Sequence, residues 1–245
     1  MKFKKLSLAL AAAAVLGVGS ANAAIVSVGG VTWDTATIFD FSSNGTLLEN
    51  VVTTAGGVLT GLGRITNINT NPNFCANCEL TFVFTGYTLD AAFLPNQNFS
   101  FSNGTFEFYV SPVNANFLTG TGFADGTPWL SLKGVNTNGG TTGSLTGSIT
   151  NFAQLSGQGS GYLDVVGGIA APFLDTNGQG NGRDLFFTSS FQPIPGGAVG
   201  PLTHFGTADI AGKSQVGVVP EPGILALLGL GLAGIGFSRR NKKQA

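Results

Sequence analysis

Charge is scarce in this chain: Asp, Glu, Lys and Arg make up 9% of 245 residues, against about a quarter in an average soluble domain. Seven of the eleven cations lie near the ends (Lys2, Lys4, Lys5, Arg239, Arg240, Lys242 and Lys243). Between them only Arg64, Lys133, Arg183 and Lys213 face eleven acids, a body charge near −7. Such a body lacks the basic footprint that nucleic acid requires, so nucleic acid is excluded as a partner. Histidine occurs once, at His204, and cysteine twice, at Cys75 and Cys78, which is too few for a four-ligand structural zinc site. A Ser-His-Asp hydrolase has no G-x-S-x-G elbow to use, and neither a phosphate loop nor a dinucleotide fingerprint stands between a strand and a helix. His204 reads as a surface or capping residue. No catalytic residue and no cofactor is assigned.

Glycine and phenylalanine are abundant instead, at 38 and 20 residues, and the apolar fraction of 43% argues against disorder. Strand signals dominate. In residues 79–85, ELTFVFT, period-two alternation places Leu80, Phe82 and Phe84 on one face and Glu79, Thr81 and Thr85 on the other. FSFSNGTFEFYV, residues 99–110, reads as a hairpin turning at Asn103-Gly104, with Phe106, Phe108 and Val110 toward the core and Glu107 and Tyr109 outward. Further strands are expected over 25–28, 31–37, 47–53, 59–66, 117–123, 129–133, 161–166 and 184–191, with a last edge strand over 204–210. Residues 134–161, which hold GSLTGSIT, are a low-complexity stretch. Residues 193–201, PIPGGAVGP, are an irregular connection. No part of the body shows a helical apolar period. Many short strands between Gly, Asn and Pro turns predict an all-β, single β-sandwich domain, jelly-roll-like, over residues 24–218, with a closed barrel as the alternative.

Three groups of residues invite chemistry. FCANCEL places Cys75 and Cys78 before a strand, and in an exported chain the pair reads as a local disulfide that pins a turn. DTNGQGNGRD, residues 175–184, offers Asp175, Asn177 and Asp184 as oxygen ligands for calcium, but it lacks the terminal bidentate Glu of an EF-hand and reads more simply as a Gly/Asn turn. Glycoside hydrolysis needs two facing carboxylates, for which Glu49, Glu79 and Glu107 are formally available.

The ends carry the addresses. Lys2, Lys4 and Lys5, an apolar stretch over 6–18, and Ala21-Asn22-Ala23 form a signal peptide over 1–23 with an A-x-A cleavage site, so signal peptidase is a partner and the body is exported. Residues 223–238 are sixteen residues without charge. As a helix they reach about 24 Å, enough to cross a thin bilayer transiently against roughly 30 Å of hydrocarbon. Arg239, Arg240, Lys242 and Lys243 set the end of that segment on the cytoplasmic side of the inner membrane.

Val219-Pro220-Glu221-Pro222, the short Gly/Leu segment and the basic end occur in the order of the PEP-CTERM sorting signal of Gram-negative bacteria, which residues 219–245 resemble. That resemblance implies that Val219, Pro220, Glu221 and Pro222 are recognition residues for an exosortase-type peptidase. It also implies a temporary membrane anchor, then a cell-surface or extracellular product associated with exopolysaccharide and biofilm. The segments FCANCELTFVFTGYTL and LDTNGQGNGRDLFFTSSF loosely resemble stretches of other bacterial exported proteins with this tail, which implies a shared β fold. The expected function is therefore a sorted, non-enzymatic interaction protein with polysaccharide as a partner. A glycan-binding or glycan-active protein and a calcium-dependent adhesin are the alternatives.

Overall fold

The computed structural model describes residues 25–36, 40–94, 97–136 and 143–215. The signal peptide expected over 1–23 and the sorting tail, including the helix expected over 223–238, lie outside these residues. Two short strands, β1 (Ile25–Val28) and β2 (Val31–Asp34), pair as a hairpin. The remaining nine are β3 (Phe41–Glu49), β4 (Val58–Ile68), β5 (Glu79–Leu89), β6 (Asn98–Ser111), β7 (Thr127–Val135), β8 (Leu145–Asn151), β9 (Ser156–Gly167), β10 (Leu185–Pro193) and β11 (His204–Gly212). A single helical turn, α1 (Ala171–Leu174), stands between β9 and β10.

The nine strands form a closed antiparallel barrel rather than two packed sheets. β10 pairs with both β9 and β11, and β11 returns to β3 from His204↔Glu49 to Gly212↔Phe41. β11 is thus an interior strand and not the edge expected from sequence. Closure satisfies the row of N–H and C=O groups that a sandwich leaves at each sheet edge.

β7 and β8 together occupy one of eight positions. Both run antiparallel to β9, with Val135 opposite Tyr162 and Leu145 opposite Gly161, so β8 resumes where β7 leaves off. On the other side β6 pairs with β8 over Asn98–Phe101 and with β7 from Thr105 onward. The handover falls at Asn103 and Gly104, whose φ angles are 66° and 90°. These residues therefore do not turn a hairpin. β6 runs through them as one strand of 14 residues, because β5 pairs with it on both sides of the break. The positive φ values that suit a tight turn also serve a kink, which shifts the inward positions from Phe99 and Phe101 to Phe106 and Phe108.

Alternation fills the interior with rings. Phe82, Phe84, Phe106, Phe108 and Phe187 are buried and in mutual contact, with Phe84 and Phe106 5.1 Å apart and Phe106 and Phe187 5.0 Å apart. Space for them comes from glycine. Gly61 and Gly63 face inward on β4, opposite Phe84 and Phe82, and a methyl group on either would overlap its partner's ring. Phe99 covers Gly147 and Phe191 covers Gly157 in the same manner, each across its own strand pair. The glycine-rich, phenylalanine-rich composition is thus one device, an aromatic ring laid over a bare strand position.

One end of the barrel is capped. Trp33 of β2 meets Phe41, Trp129 and Phe173 edge-on at 5.6, 6.0 and 6.2 Å, and the Trp129 indole N–H donates to the Val28 carbonyl at 3.0 Å. Cys75 and Cys78 form a disulfide in the β4–β5 connection, beside Phe74, whose carbonyl accepts the Thr32 amide of β2 at 2.8 Å. Residues 117–123 form turns instead of the expected strand, as the Asn116 carbonyl and side chain collect the amides of Gly120 and Leu118. This β6–β7 connection covers the outer wall, so Glu79 and Thr81 are buried despite facing away from the interior. Glu79 Oε1 accepts the Asn114 and Ala115 amides at 2.8 and 2.7 Å, and Thr81 donates to the Phe123 carbonyl.

Candidate functional site

The opposite end, or mouth, where the connections after β3 and β5 pack against the core through Val52 and Phe93, brings together groups far apart in sequence. Glu49 ends β3 on the inward side, two residues after buried Leu47, and its register partner is His204 at the start of β11. His204 is buried, not a surface residue. Its Nδ1 accepts from the Thr203 hydroxyl at 2.9 Å and its Nε2–H donates to the Gln154 carbonyl at 3.4 Å. Burial lowers its pKa, against the opposing pull of that backbone bond. Glu49 is 7% exposed, and no hydrogen bond or ion pair reaches its carboxyl among the described residues. Desolvation pushes its pKa up to about 8, so at neutral pH it holds its proton.

Beside this carboxyl lies a cavity of about 20 Å³, walled mainly by Leu59, Phe93, Phe99, Phe101, Leu145 and Phe191, with Asn50 and Ser189 as its other polar side chains. A buried carboxyl without a protein partner among the described residues, in a largely apolar barrel mouth, is the feature that sequence reading missed. The available signal was the parity of β3, which sets Glu49 on the same face as Leu47. The pairing with a histidine 155 positions later carries no local trace.

A second concavity, of about 450 Å³, lies on the outer wall across β8, β9 and β10. Thr146, Ser160 and Thr188 form one cross-strand row there, with Ser148 and Gln158 in the next. No charged residue lines it. The side chains of Ser148, Gln158, Ser160 and Thr188 make no hydrogen bond among the described residues. Phe186 stands at one end, 5.1 Å from the Tyr162 ring.

The other sequence candidates are dispersed. Asp184 is buried and already engaged: Oδ1 accepts the Thr176 and Asn177 amides at 2.8 and 2.6 Å, and Oδ2 the Val165 amide at 2.8 Å. Asp175 is exposed, and its carbonyl is bound by the Gln215 side chain. The 175–184 segment is a turn organised around one carboxylate. Among the described residues no three His, Cys, Asp or Glu side chains are grouped to hold a metal. Glu49, Glu79 and Glu107 do not converge: Glu49 is at the mouth, Glu79 near the capped end, and Glu107 on the outer wall with the Ser131 hydroxyl.

The tail decides what can be said of destination. Residues 218–240 match the PEP-CTERM protein-sorting motif. The chain carries an exosortase sorting signal. Pro220, Glu221 and Pro222 fall within this motif, as do the uncharged segment and Arg239-Arg240. PEP-CTERM sorting means processing by an exosortase and export toward the cell envelope or surface. Among the described residues no helix is long and apolar enough to cross a membrane. No curated protein and no solved structure matches the chain.

Proposed function

We propose that the exported barrel is a non-enzymatic interaction protein of the extracellular matrix that binds neutral polysaccharide through the groove across β8, β9 and β10. The observation that carries this reading is the unengaged set of hydroxyl and amide groups at Ser148, Gln158, Ser160 and Thr188 in a groove without charge. Hydroxyl and amide groups each donate and accept, which suits a partner that is itself a lattice of hydroxyls. The Phe186 ring, which lines the groove, and the Tyr162 ring against it offer an apolar platform for the faces of sugar rings. The PEP-CTERM motif supports the setting, since it directs the chain to the envelope. The separation of the three glutamates favours holding a glycan over cleaving one.

Affinity electrophoresis of the purified full-length protein through gels containing a neutral glucan tests this. Retardation is expected, and Gln158→Ala combined with Ser160→Val should abolish most of it. Retardation that is absent in neutral glucan, or unchanged in the double variant, would sink the proposal.

A further inference from the structure

We propose that the mouth cavity is a binding site for the ammonium head of an organic amine, with Glu49 as its counter-ion and Phe93, Phe99, Phe101 and Phe191 as its wall. The inference is independent of the outer groove. It starts from an imbalance: a carboxyl 7% exposed has neither a hydrogen-bond donor nor a cation beside it. Buried carboxyls are ordinarily paired or hydrogen-bonded, because an unsatisfied one works against folding. The Glu49 carboxyl meets this need only through the solvent that reaches it at the cavity, and a donor entering the cavity would take that place.

The chemistry of that partner follows from the wall. Phe93 and Phe99 lie 4.9 Å apart, Phe99 and Phe101 5.7 Å, and Phe99 and Phe191 6.1 Å, a continuous cluster of rings around one acid. Ring faces attract cations, most strongly where water is excluded. Arg64, Lys133, Arg183 and Lys213 are all absent from the lining, so the cavity has no resident positive charge. Its volume of about 20 Å³ admits one group the size of a water molecule, which is the size of an ammonium head. Val52 and Phe93, which belong to the connections rather than to the strands, line the cavity and would have to yield to the rest of the ligand.

The titratable surroundings are simple. His204 faces Glu49 from β11, and both its ring nitrogens are engaged by Thr203 and Gln154. Asp90, just beyond β5, accepts the Ser100 and Ser102 hydroxyls. Glu49 is the one titratable residue lining the cavity. Binding then exchanges one cation for another: the Glu49 O–H bond breaks, its proton leaves to solvent, and the carboxylate pairs with the incoming ammonium. Charge balances, and affinity rises with pH until Glu49 is ionised in the free protein.

Calorimetric titration of the full-length protein with butylammonium at neutral pH, beside butanol and butyrate, tests the site. Saturable binding of butylammonium is expected with release of about one proton, and butanol and butyrate should bind about tenfold more weakly or less. Glu49→Gln keeps the shape and neutrality of the protonated acid, so it folds, and it should weaken butylammonium binding by about tenfold or more. Phe93→Ala, in the cavity wall, should weaken it severalfold with proton release retained. Failure of butylammonium to saturate, equal binding of butanol, or unchanged binding in Glu49→Gln would each overturn the proposal.

Discussion

Phe82 lies across Gly63, its register partner on the adjacent strand, so that ring and bare backbone fill one position between them. The same relationship joins Phe84 to Gly61, and together the two pairs set how closely β4 and β5 line the core. Gly63→Ala adds one methyl where the ring already sits, and overpacking of this kind costs roughly 1–3 kcal/mol. A fall in melting temperature of several degrees is expected, and Phe82→Leu in the same chain should recover part of it, since contacting sites do not add independently. A Gly63→Ala protein that melts with the wild type would show that the ring does not depend on the glycine.

Glu49 makes stability depend on pH in a direction that can be stated beforehand. Its pKa is raised by burial from 4.5 to about 8. Its favourable contribution is complete below 4.5 and is lost as pH rises through about 8, because the unfolded chain ionises first. Three to four pKa units correspond to roughly 4–5 kcal/mol as an upper bound. His204, lowered by burial, acts oppositely and loses stability as pH falls through its folded value. Glu49→Gln should therefore match the wild type near pH 4 and exceed it increasingly toward pH 8 in thermal melts. Coincident melting curves at pH 8 would show that the carboxyl is already solvated or paired.

How much of this was legible in the sequence depends on which side chains face inward. β5 declared itself because Leu80, Phe82 and Phe84 alternate, and the strand expected over 59–66 lies within β4. The first half of β9 was silent because its inward positions are Gly157, Gly159 and Gly161, which carry no apolar signal. β8 was hidden likewise by Gly147, whose place in the core is filled by Phe99 from β6. Asn103-Gly104 supplies residues that tolerate positive φ, but a kink and a turn use them alike, and only the pairing of β5 on both sides of the break separates the two. Closure rests on β10 with β9 and β11 with β3, and the second joins residues more than 150 apart, beyond the reach of any local pattern. The Glu49–His204 pair is a product of that same long-range register, which is why the mouth was invisible until the barrel was assembled.

Asp184 separates a structural carboxylate from a metal ligand. It accepts three backbone amides from two segments, and charge-assisted bonds of this kind are stronger than neutral ones. Asp184→Ala should lower stability by roughly 2–4 kcal/mol by leaving those amides unmet. Millimolar calcium should leave the wild-type melting temperature where a chelator leaves it. A calcium-dependent rise that disappears in the variant would return the 175–184 turn to the list of ion sites.

The disulfide closes only a four-residue loop, for which the chain-entropy relation gives roughly 2 kcal/mol. Its position matters more than its loop length, since the Phe74 carbonyl next to it holds Thr32 of the capping hairpin. Reduction, or Cys75→Ser with Cys78→Ser, should lower the melting temperature modestly. It should also speed amide exchange in β1 and β2 while leaving β4 and β5 protected. Uniform loss of protection across the barrel would mean that the bridge supports the whole domain and not just its cap.

We propose that sorting is read at Pro220-Glu221-Pro222, inside the matched motif, and that retention before processing depends on the uncharged segment and the cations after it. Those two parts fail in different ways. Glu221→Ala removes a recognition residue but leaves the stop-transfer charges, so full-length protein should accumulate in the inner-membrane fraction. Replacement of Arg239, Arg240, Lys242 and Lys243 by Gln removes the bias that keeps the end cytoplasmic, so precursor should be lost from that fraction without the normal processed species appearing. Mass spectrometry of membrane and medium fractions distinguishes the two, because an uncleaved product retains the mass of the whole tail. Normal processing in Glu221→Ala would show that the peptidase does not read the acid, and normal processing in the charge variant would show that retention does not rest on the basic end.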